Sequence, residues 1–516
     1  MARTLLIAEV SRKQDYIFSS RHLKDNAERS DIIRYVSDSR FFEKAAPGLY
    51  READNLIYSG GGHTVLQFAD AQQAAAFAEK VTEAAMREFD GLELFVKQYP
   101  YNPGLTPGKN LLELTKALER KKSRRAAAFG YTTLGVEALD GETFQPVHAA
   151  AMGAKPEKYG VQPPAGMRYP TQFEELTPAL GEKNGRDNFL AVVHIDGNAM
   201  GKRVERIYQK EQSDWDACCA SLRRFSEGIQ ADFEAAFSEM TETVIGALAL
   251  AGDTLPLRPV ILAGDDVCFV CAGSIGLECA RVFLEKLSQK ANAEDGQKYA
   301  ACAGVALVHQ KFPFHQAYDL AEELCSSAKK FGAAMAQQNP QAGGSVSALD
   351  WHIEFGQLKD SLSELRRDYE TEDGNRLELR PVSVVVPEGL RGEGVRDYRY
   401  FRALCETLQN TRGDMARGKI KELRAAMKQG EQESRYFLQD QQITEILYAP
   451  FNAQYRTWEE QSKLFRAALA AGETGTAQLK NTEAFVHLPG EEFSRSLFFD
   501  AIEMIDHCQF FEEAKQ

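Results

Sequence analysis

The chain has 516 residues, of which 44% are hydrophobic and 26% are charged, and its formal net charge is −14. This mixture is typical of globular proteins, and it excludes a largely disordered chain, a coiled coil and a collagen-like chain. The acidic balance argues against a protein that coats nucleic acid without sequence preference, although it is compatible with a local basic groove.

The first part of the chain alternates strand and helix signals. Residues 4–10 predict a strand, residues 12–42 a helix in one or two pieces, and residues 55–68 two short strands around a glycine-rich turn. A helix over 71–89 and a strand over 91–98 complete the unit. The order β, α, β-hairpin, α, β is that of the ferredoxin-like fold.

The same order returns later in the chain. The second set of predicted elements is a strand, a helix, a hairpin, a helix, a strand and a helix at residues 188–196, 214–250, 257–273, 275–293, 299–308 and 314–332. Two long units of this kind indicate a duplicated domain rather than a short repeat. The near-continuous hydrophobicity of 188–196 predicts burial on both faces of the sheet.

The domain organisation follows from this duplication. We predict an α+β protein with two ferredoxin-like (βαββαβ) domains and a C-terminal helical domain. The predicted segments are a first domain, a linker or irregular insert rich in Gly and Pro, a second domain, and a helical domain, at residues 1–130, 131–187, 188–395 and 396–516.

The nine cysteines are spread thinly along the chain. This pattern is typical of reduced, buried thiols rather than of a disulfide framework. The apolar N-terminal stretch is too short for a signal peptide, and no stretch reaches the ~20 apolar residues of a membrane helix. We therefore expect a cytoplasmic protein without membrane contact.

Three aspartates are the strongest functional signal. Asp196 ends a buried strand, and Asp265 and Asp266 lie in the hairpin turn of the second unit. The first strand and the hairpin strands are neighbours in a βαββαβ sheet, so the three carboxylates are expected at one edge. Their mutual repulsion is relieved by a divalent cation, which predicts a two-metal site for Mg²⁺ or Mn²⁺. The alternative is an Asp-Asp pair that only starts a turn.

Residues around these aspartates are suited to phosphate binding. The loop after Asp196 contains glycines that let backbone N–H groups approach a phosphate, and a helix begins there. Two lysines late on a helix of the same unit could reach triphosphate oxygens. A plain strand-to-helix turn and favourable charge at a helix C-terminus are the structural alternatives. The candidate nucleotide-binding residues are Gly197, Asn198, Ala199, Met200, Gly201, Lys202, Gly264, Lys329 and Lys330.

Other polar groups favour structural interpretations. Cys268 and Cys271 have a spacing found in zinc sites, but on a strand their side chains face opposite ways, so buried thiols are expected. His194 is interpreted as a satisfied core or sheet-face histidine. The basic runs at 120–125 and 412–428 are compatible with solvated helix ends and with RNA contacts.

Three motifs together carry a resemblance to a known family. The segments IDGNAMG, AGDD and AKK, in this order, resemble the second palm domain of the large polymerase/cyclase subunit of type III CRISPR effector complexes. The segments SRKQDYIFSSRHLKD and YSGGGHTVLQF resemble the first palm of that subunit, and NRLELRPVSV resembles its Arg-Pro segment. The resemblance covers roughly residues 1–100 and 188–390, and more loosely the helical tail. The palm is also shared with GGDEF diguanylate cyclases.

The resemblance implies a nucleotidyltransferase. One ATP 3′-hydroxyl would attack the α-phosphate of another ATP, giving cyclic oligoadenylates that act in antiviral signalling. It implies catalytic and metal-binding roles for Asp196, Asp265 and Asp266, and triphosphate contacts for Gly197 to Gly201 and Lys329. It further implies ATP and CRISPR effector subunits with guide or target RNA as partners. The sequence leaves open whether the chain acts alone, as a homo-oligomer or inside a ribonucleoprotein.

The same resemblance assigns nucleotide binding without catalysis to the first palm. That palm has Gly62-His63 where the second has its two aspartates. The expected nucleotide-binding hairpin comprises Ser59, Gly60, Gly61, Gly62 and His63. The alternative interpretation of this hairpin is a simple turn.

Two departures from the family pattern leave alternatives open. Ala263 stands where the family hairpin usually has its first glycine, and the chain has no His-Asp dipeptide, so no DNase activity is expected. The alternatives are a stand-alone cyclase that makes a cyclic di- or mononucleotide, and a catalytically silent, nucleotide-binding scaffold subunit of an RNA-guided complex. The intact carboxylates argue against the silent scaffold.

Overall fold

Two sheet domains and a mainly helical C-terminal region make up the computed structural model of the chain. The described residues are 3–20, 22–124, 136, 138–139, 146–147, 160–181, 188–338, 344–356, 361–388, 390, 394–410, 417–443, 447, 484–488 and 491–511. Within these ranges, no helix combines the length and the apolar character that crossing a membrane requires.

The first unit is an antiparallel sheet accompanied by helices. Its strands are β1 (Thr4–Ser11), β2 (Leu56–Gly60), β3 (His63–Phe68) and β4 (Glu93–Pro100). Its helices are α1 (Lys13–Ile17), α2 (Leu23–Val36), α3 (Ser39–Ala45), α4 (Glu52–Asn55), α5 (Ala71–Glu88) and α6 (Pro107–Ser123). The strand order β2-β3-β1-β4 is that of a ferredoxin-like domain, as the sequence predicts.

The helical stretch predicted over residues 12–42 is divided into α1, α2 and α3. Asp38 separates the last two, because its carboxylate accepts a hydrogen bond from the backbone N–H of Arg40 at 2.8 Å and caps α3. Helix α6 is an additional element, of which the sequence indicated only the basic end. Thr106 caps it and Pro107 occupies its first position, where a missing N–H costs nothing.

The predicted insert over residues 131–187 is irregular where it is described. A pair of short antiparallel strands, β5 (Ala138–Leu139) and β6 (Pro146–Val147), lies in its first half. Two single 3₁₀ turns, at Phe173–Glu175 and Pro178–Leu180, lie in its second half.

The second unit repeats the topology of the first. Its strands are β7 (Phe189–Gly197), β8 (Leu257–Ala263), β9 (Asp266–Ala272) and β10 (Ala301–His309). Its helices are α7 (Met200–Lys210), α8 (Trp215–Ala247), α9 (Gly276–Ser288) and α10 (Phe314–Gln338). The order β10-β7-β9-β8 again matches the ferredoxin-like prediction, and the central strand β7 is nearly all buried.

Two further strands extend this sheet beyond its βαββαβ core, and both lie within the second domain predicted at residues 188–395. Strand β11 (Ser347–Glu354) pairs with β10 in parallel, and β12 (Val382–Val385) pairs with β11 in antiparallel orientation. The second sheet therefore has six strands in the order β12-β11-β10-β7-β9-β8. A short helix, α11 (Leu362–Arg367), lies between β11 and β12.

The two units pack directly against each other. The long helix α8 of the second unit contacts β2 of the first. One hydrophobic cluster contains Leu5 and Ile57 of the first unit together with Val193 and Phe225 of the second. The hairpin turns of the two units are consequently held in a common interface.

The C-terminal region is mainly helical where it is described, which agrees with the predicted fold class. Its elements are α12 (Tyr398–Asn410), α13 (Arg417–Gln429), α14 (Glu431–Gln441), β13 (Phe485–His487), β14 (Ser494–Ser496) and α15 (Phe499–Met504). The small β13-β14 hairpin is an exception to the all-helical expectation.

A buried ion cluster joins this region to the second unit. Arg380, in the Arg-Pro segment, donates to Asp500 of α15 at 2.7 Å and to Glu503 at 3.1 Å. The backbone N–H groups of Leu379 and Arg380 also donate to Asp500, at 2.9 and 2.8 Å. Arg380 is 1% exposed, so these carboxylates balance a charge that has no access to water.

Candidate active site between two hairpin turns

The three aspartates meet at one edge of the second sheet. Asp196, near the end of β7, lies directly opposite Asp266, the first residue of β9, and Asp265 precedes it in the turn. The backbone N–H of Gly197 donates to the carbonyl of Asp265 at 3.1 Å. A Cβ at Gly197 would lie 2.8 Å from the Cβ of Asp265, so this close approach requires glycine.

The turn itself explains why Ala263 is tolerated in place of glycine. The left-handed conformation falls on Gly264, whose φ is +69°, and not on Ala263. Ala263 instead pairs with Asp266 as the last residue of β8. An L-residue meets no backbone strain at such a strand position.

The electrostatics of the edge disfavour a full set of negative charges. Burial, and next the charge of Asp196, raise the pKa of Asp265 to about 6, although Lys329 partly opposes the shift. A carboxyl in this setting gains from any cation that comes to the edge.

Lys329 supplies one such cation from helix α10. Its Nζ donates to Oδ2 of Asp196 at 2.5 Å and to the carbonyl of Gly197 at 3.0 Å. Lys330, the next residue, has an exposed side chain. Of the two predicted lysines, the structure thus brings Lys329 to the aspartates.

His194 is a buried histidine that hydrogen-bonds across the sheet, which agrees with its interpretation as a core or sheet-face histidine, and its partner is one of the three aspartates. Its Nε2 lies 3.1 Å from Oδ1 of Asp266. Burial lowers the pKa of His194, but the hydrogen bond and the negative charge of Asp266 outweigh it and leave the pKa above its ordinary value. The available sequence signal was its position two residues before Asp196, since alternate residues of a strand share a face.

The loop after Asp196 leads into helix α7 as predicted. Ala199 takes a left-handed conformation, with φ of +59°, and occupies the N-cap position of the helix that begins at Met200, without a side-chain hydrogen bond to it. The side chain of Asn198 is turned to the protein, donating to the carbonyl of Val346 at 3.0 Å. Space is open at Gly201, where a Cβ would meet nothing within 4 Å, and the side chain of Lys202 is exposed. The N-terminus of α7 therefore remains the part of this loop suited to phosphate.

The glycine hairpin of the first unit faces the aspartate hairpin of the second. A Cβ at Gly264 would lie 4.0 Å from the backbone nitrogen of Gly61. Gly61 and Gly62 are left-handed, with φ of +59° and +74°. A Cβ at Gly62 would lie 2.9 Å from side-chain atoms of Lys13 and Ile33, so this turn requires glycine for space as well.

The residues at the two ends of this first hairpin turn make contacts within the protein. Ser59 donates from Oγ to the carbonyl of Ser37 at 2.8 Å. His63 packs edge-on against Tyr58, with ring centroids 5.6 Å apart. Burial, and next the charge of Lys13, lower the pKa of His63 to about 4, so its ring is neutral at neutral pH. Gly60 packs against Ser226, whose Oγ would be 2.9 Å from a Cβ at this position.

A cavity of about 490 Å³ opens between the two units. The second unit contributes Ala263, Asp266 and Tyr318 to its lining, and the first contributes cations that include Lys13 and Lys122. The sequence does not single out Lys13. For Lys122 it predicts a solvated helix end or a contact with RNA, and neither prediction places this lysine beside a cavity. Lys13 is the first residue of α1, which follows β1 closely in the chain, and Lys122 lies in the last turn of α6, which packs against β1.

Lys13 and Lys122 are held in place by first-unit groups. Lys13 donates to the carbonyl of Gly61. Burial lowers the pKa of Lys13, although the charges of Glu9 and Asp266 oppose this shift. Lys122 donates to Glu9 at 2.9 Å. The first unit thus lines the cavity with cations and with the carboxylate of Glu9, and the second unit adds the carboxylate of Asp266.

The oxygen donors fit a divalent cation in kind, although they do not form a closed cage. Among the described residues, no group of three or more His, Cys, Asp or Glu side chains is arranged to hold a metal ion. Asp196 is engaged by Lys329, and Asp266 by His194. Mg²⁺ rarely uses cages made only of protein, and it binds through one or two carboxylates together with substrate phosphates.

The remaining candidates lie outside this edge. Cys268 and Cys271 are fully buried free thiols in two different hydrophobic clusters, which confirms the structural interpretation. In the basic runs, Lys121 donates to the carbonyl of Val96 and Arg424 to Glu503. Residues 125 and 412–416 of these runs lie outside the described residues.

Comparison with known proteins supports this picture of the second unit. Residues 189–336 match the family model of Cas10/Cmr2, second palm domain. The predicted resemblance to the type III CRISPR large subunit is thereby confirmed. No curated protein matches the chain.

Several solved structures share the fold. A Csm1-Csm4 cassette in complex with pppApApA aligns with a TM-score of 0.54 and 15% identity, covering 98% of this chain and 69% of that one. The cassette in complex with cA4 gives 0.53 and 15%, covering 98% and 70%. Csm1 of T. onnurineus gives 0.52 and 16%, covering 88% and 67%. The alignment with the apo Csm1-Csm4 cassette covers only 53% of that chain.

Proposed function

Since residues 189–336 form a palm domain of the Cas10/Cmr2 type, we propose that the chain is a metal-dependent nucleotidyltransferase. It would convert ATP to cyclic oligoadenylates in antiviral defence of the type III CRISPR kind. The observation that carries this proposal is the meeting of Asp196, Asp265 and Asp266 at one edge of the second sheet, where Asp266 lines a cavity shared by both units. Cassettes of the same fold have been crystallised with cA4 and pppApApA.

Asp196, Asp265 and Asp266 would hold Mg²⁺ or Mn²⁺ together with phosphate oxygens of the substrate. When bound, the metal ions would activate the attacking 3′-hydroxyl and stabilise the leaving pyrophosphate. Lys329 now neutralises Asp196, and it would transfer this hydrogen bond to a phosphate oxygen when Asp196 takes up a metal. His194 would keep Asp266 in place through its hydrogen bond at 3.1 Å.

Two nucleotides would lie on the two sides of the interface. The triphosphate of the first would rest on the N-terminus of α7, after Gly197. The second would lie against Gly61 and Gly62, where Lys13 and Lys122 offer positive charge. The chain would act in the cytoplasm with CRISPR effector subunits and guide or target RNA.

The metal requirement is tested by pyrophosphate release. With ATP and Mn²⁺ we expect release that stops when EDTA is added in excess and returns when Mn²⁺ is restored. The carboxylates alone supply neither the Lewis acid nor the activated hydroxyl, which is why removal of the metal should abolish the reaction. Release that continues unchanged in EDTA would contradict the proposal.

Lys329→Met is expected to lower kcat/KM for ATP by about 10-fold to 100-fold, the range that follows from losing a hydrogen bond to a charged group. The substitution keeps most of the side-chain length and removes the ammonium that contacts Asp196. Steady-state pyrophosphate release measures the effect. Lys80→Met, on the surface of α5, is the matched control and should leave kcat/KM unaltered. If Lys329→Met and Lys80→Met had equal kcat/KM values, the proposed contact of Lys329 with phosphate would be contradicted.

A further inference from the structure

Helix α8 carries three polar side chains in one row. Ser226, Gln230 and Glu234 are spaced four residues apart, so they lie on one face of the helix, one turn after another. This face is directed at the interface of the two units. Each of the three side chains makes a hydrogen bond or ion pair with an element outside α8.

Ser226 binds the first unit beside its glycine hairpin. Its Oγ donates to the carbonyl of Ser59 at 2.7 Å. Ser59 belongs to β2, directly before the turn at Gly61 and Gly62. The position of this turn relative to α8 is therefore set by a bond from the second unit.

Gln230 binds the aspartate hairpin where β8 enters its turn. Its Oε1 accepts from the backbone N–H of Gly264 at 2.7 Å. Its Nε2 donates to the carbonyl of Leu262 at 3.1 Å and to Glu234 at 2.7 Å. Gly264 directly precedes Asp265, so the amide of Gln230 holds the backbone from which the aspartates project.

Glu234 closes the row by returning to the first unit. It forms an ion pair of 3.0 Å with Arg34 of α2, and Arg34 lines the cavity between the units. The row thus alternates between first-unit and second-unit partners within two turns of one helix. A side chain that stabilised only its own turn of α8 would not need hydrogen-bond partners in both units.

We infer that Ser226 and Gln230 are positioning residues that fix the separation of the two hairpin turns. This inference rests on the proposed function, because the separation would set the distance between a nucleotide on the glycine hairpin and the aspartates. Neither residue would touch the reacting atoms. Their effect would be transmitted through the backbone of Ser59 and Gly264.

The test combines hydrogen exchange with kinetics on the full chain and the variant Gln230→Met. Methionine preserves the length of the side chain and removes the three hydrogen bonds of the Gln230 amide. We expect backbone exchange in the peptide 257–272 to become about threefold to tenfold faster, as befits a lost hydrogen bond. We expect kcat to fall about 10-fold to 100-fold, the range associated with small misplacements, with KM for ATP changed less than about threefold.

Two further variants complete the design. Gln72→Met, at an exposed position of α5, makes the same substitution away from the interface and should match the wild type. Ser226→Ala should lower kcat as well, and the double variant should lose less than the product of the single effects. Non-additivity of this kind identifies one shared function for the two bonds.

The outcomes separate this inference from the proposed function. Unchanged exchange in peptide 257–272 of Gln230→Met, or a rise in KM with kcat unaltered, would overturn the positioning role. If the wild type released no pyrophosphate, the proposed function would fail by itself. Backbone hydrogen exchange in the glycine hairpin and the aspartate hairpin would then still show whether Ser226 and Gln230 stabilise these two turns.

Discussion

Replacing Asp265 and Asp266 together by asparagine is expected to lower ATP turnover by roughly 10³-fold or more. Charge stabilisation by a bound metal is worth several kcal/mol, and about 1.4 kcal/mol corresponds to a factor of ten in rate. Asparagine has nearly the shape of aspartate, so the turn that begins at Gly264 should form normally. Turnover is measured as pyrophosphate release at saturating ATP and Mn²⁺.

The same variant should be at least as stable as the wild type. Burial and the charge of Asp196 raise the pKa of Asp265 to about 6, which shows that the folded edge disfavours its carboxylate. Removing the charge relieves that repulsion, so the thermal unfolding temperature without metal should stay level or rise. A large fall would mean that the lost activity reflects unfolding, and turnover within tenfold of the wild type would remove the aspartates from the mechanism.

The control for this experiment is a second pair of aspartates far from the edge. Asp216 and Asp253 have exposed side chains, with accessible fractions of 84% and 66%. Replacing both by asparagine makes the same change in net charge. We expect turnover and unfolding temperature to match the wild type.

Arg380→Met is expected to destabilise the second unit and the C-terminal region by about 3–5 kcal/mol, the usual cost of breaking a buried ion pair. The substitution leaves Asp500 and Glu503 buried with one cation fewer, and these residues are only 5% and 7% exposed. The ring of Trp351 lies 5.4 Å from the Arg380 guanidinium, so its fluorescence can follow urea unfolding. The urea midpoint should fall clearly.

Two variants show whether the uncompensated charge is the cause. Arg51→Met removes an arginine whose side chain is 84% exposed in a surface ion pair, and it should leave the midpoint unchanged. Adding Asp500→Asn and Glu503→Gln to Arg380→Met should recover part of the lost stability, because the buried negative charges disappear. A midpoint for Arg380→Met equal to that of Arg51→Met would contradict the assigned role of the cluster.

The sequence predicted the parts of the fold that depend on local pattern. Alternating and continuous hydrophobic runs identify both βαββαβ units, and the topology that they share predicts that Asp196 lies beside Asp266, as observed. Strand β11 was not predicted, although its apolar residues alternate with Asp350, His352 and Glu354 in the pattern of a strand. Its pairing with β10 is a long-range contact that no local period reveals.

The residues that contact the two hairpins from other elements were harder to predict, because their contacts are also long-range. His194 meets Asp266 across 72 positions of the chain, and Lys13 meets Gly61 across 48. Gln230 reaches the aspartate hairpin only because α8 packs along the interface. Such residues carry no motif of their own, and their contribution becomes visible when the two units are placed together.

The products formed from ATP provide the most direct test of the proposed enzyme. The tagged chain would be purified from its native cells with its bound partners, and then incubated with ATP and Mn²⁺. Mass spectrometry should detect cyclic oligoadenylates, and these should be missing from the preparation that carries Asp265→Asn and Asp266→Asn. Unconsumed ATP and no adenylate longer than a mononucleotide from the intact wild-type assembly would contradict a cyclase function.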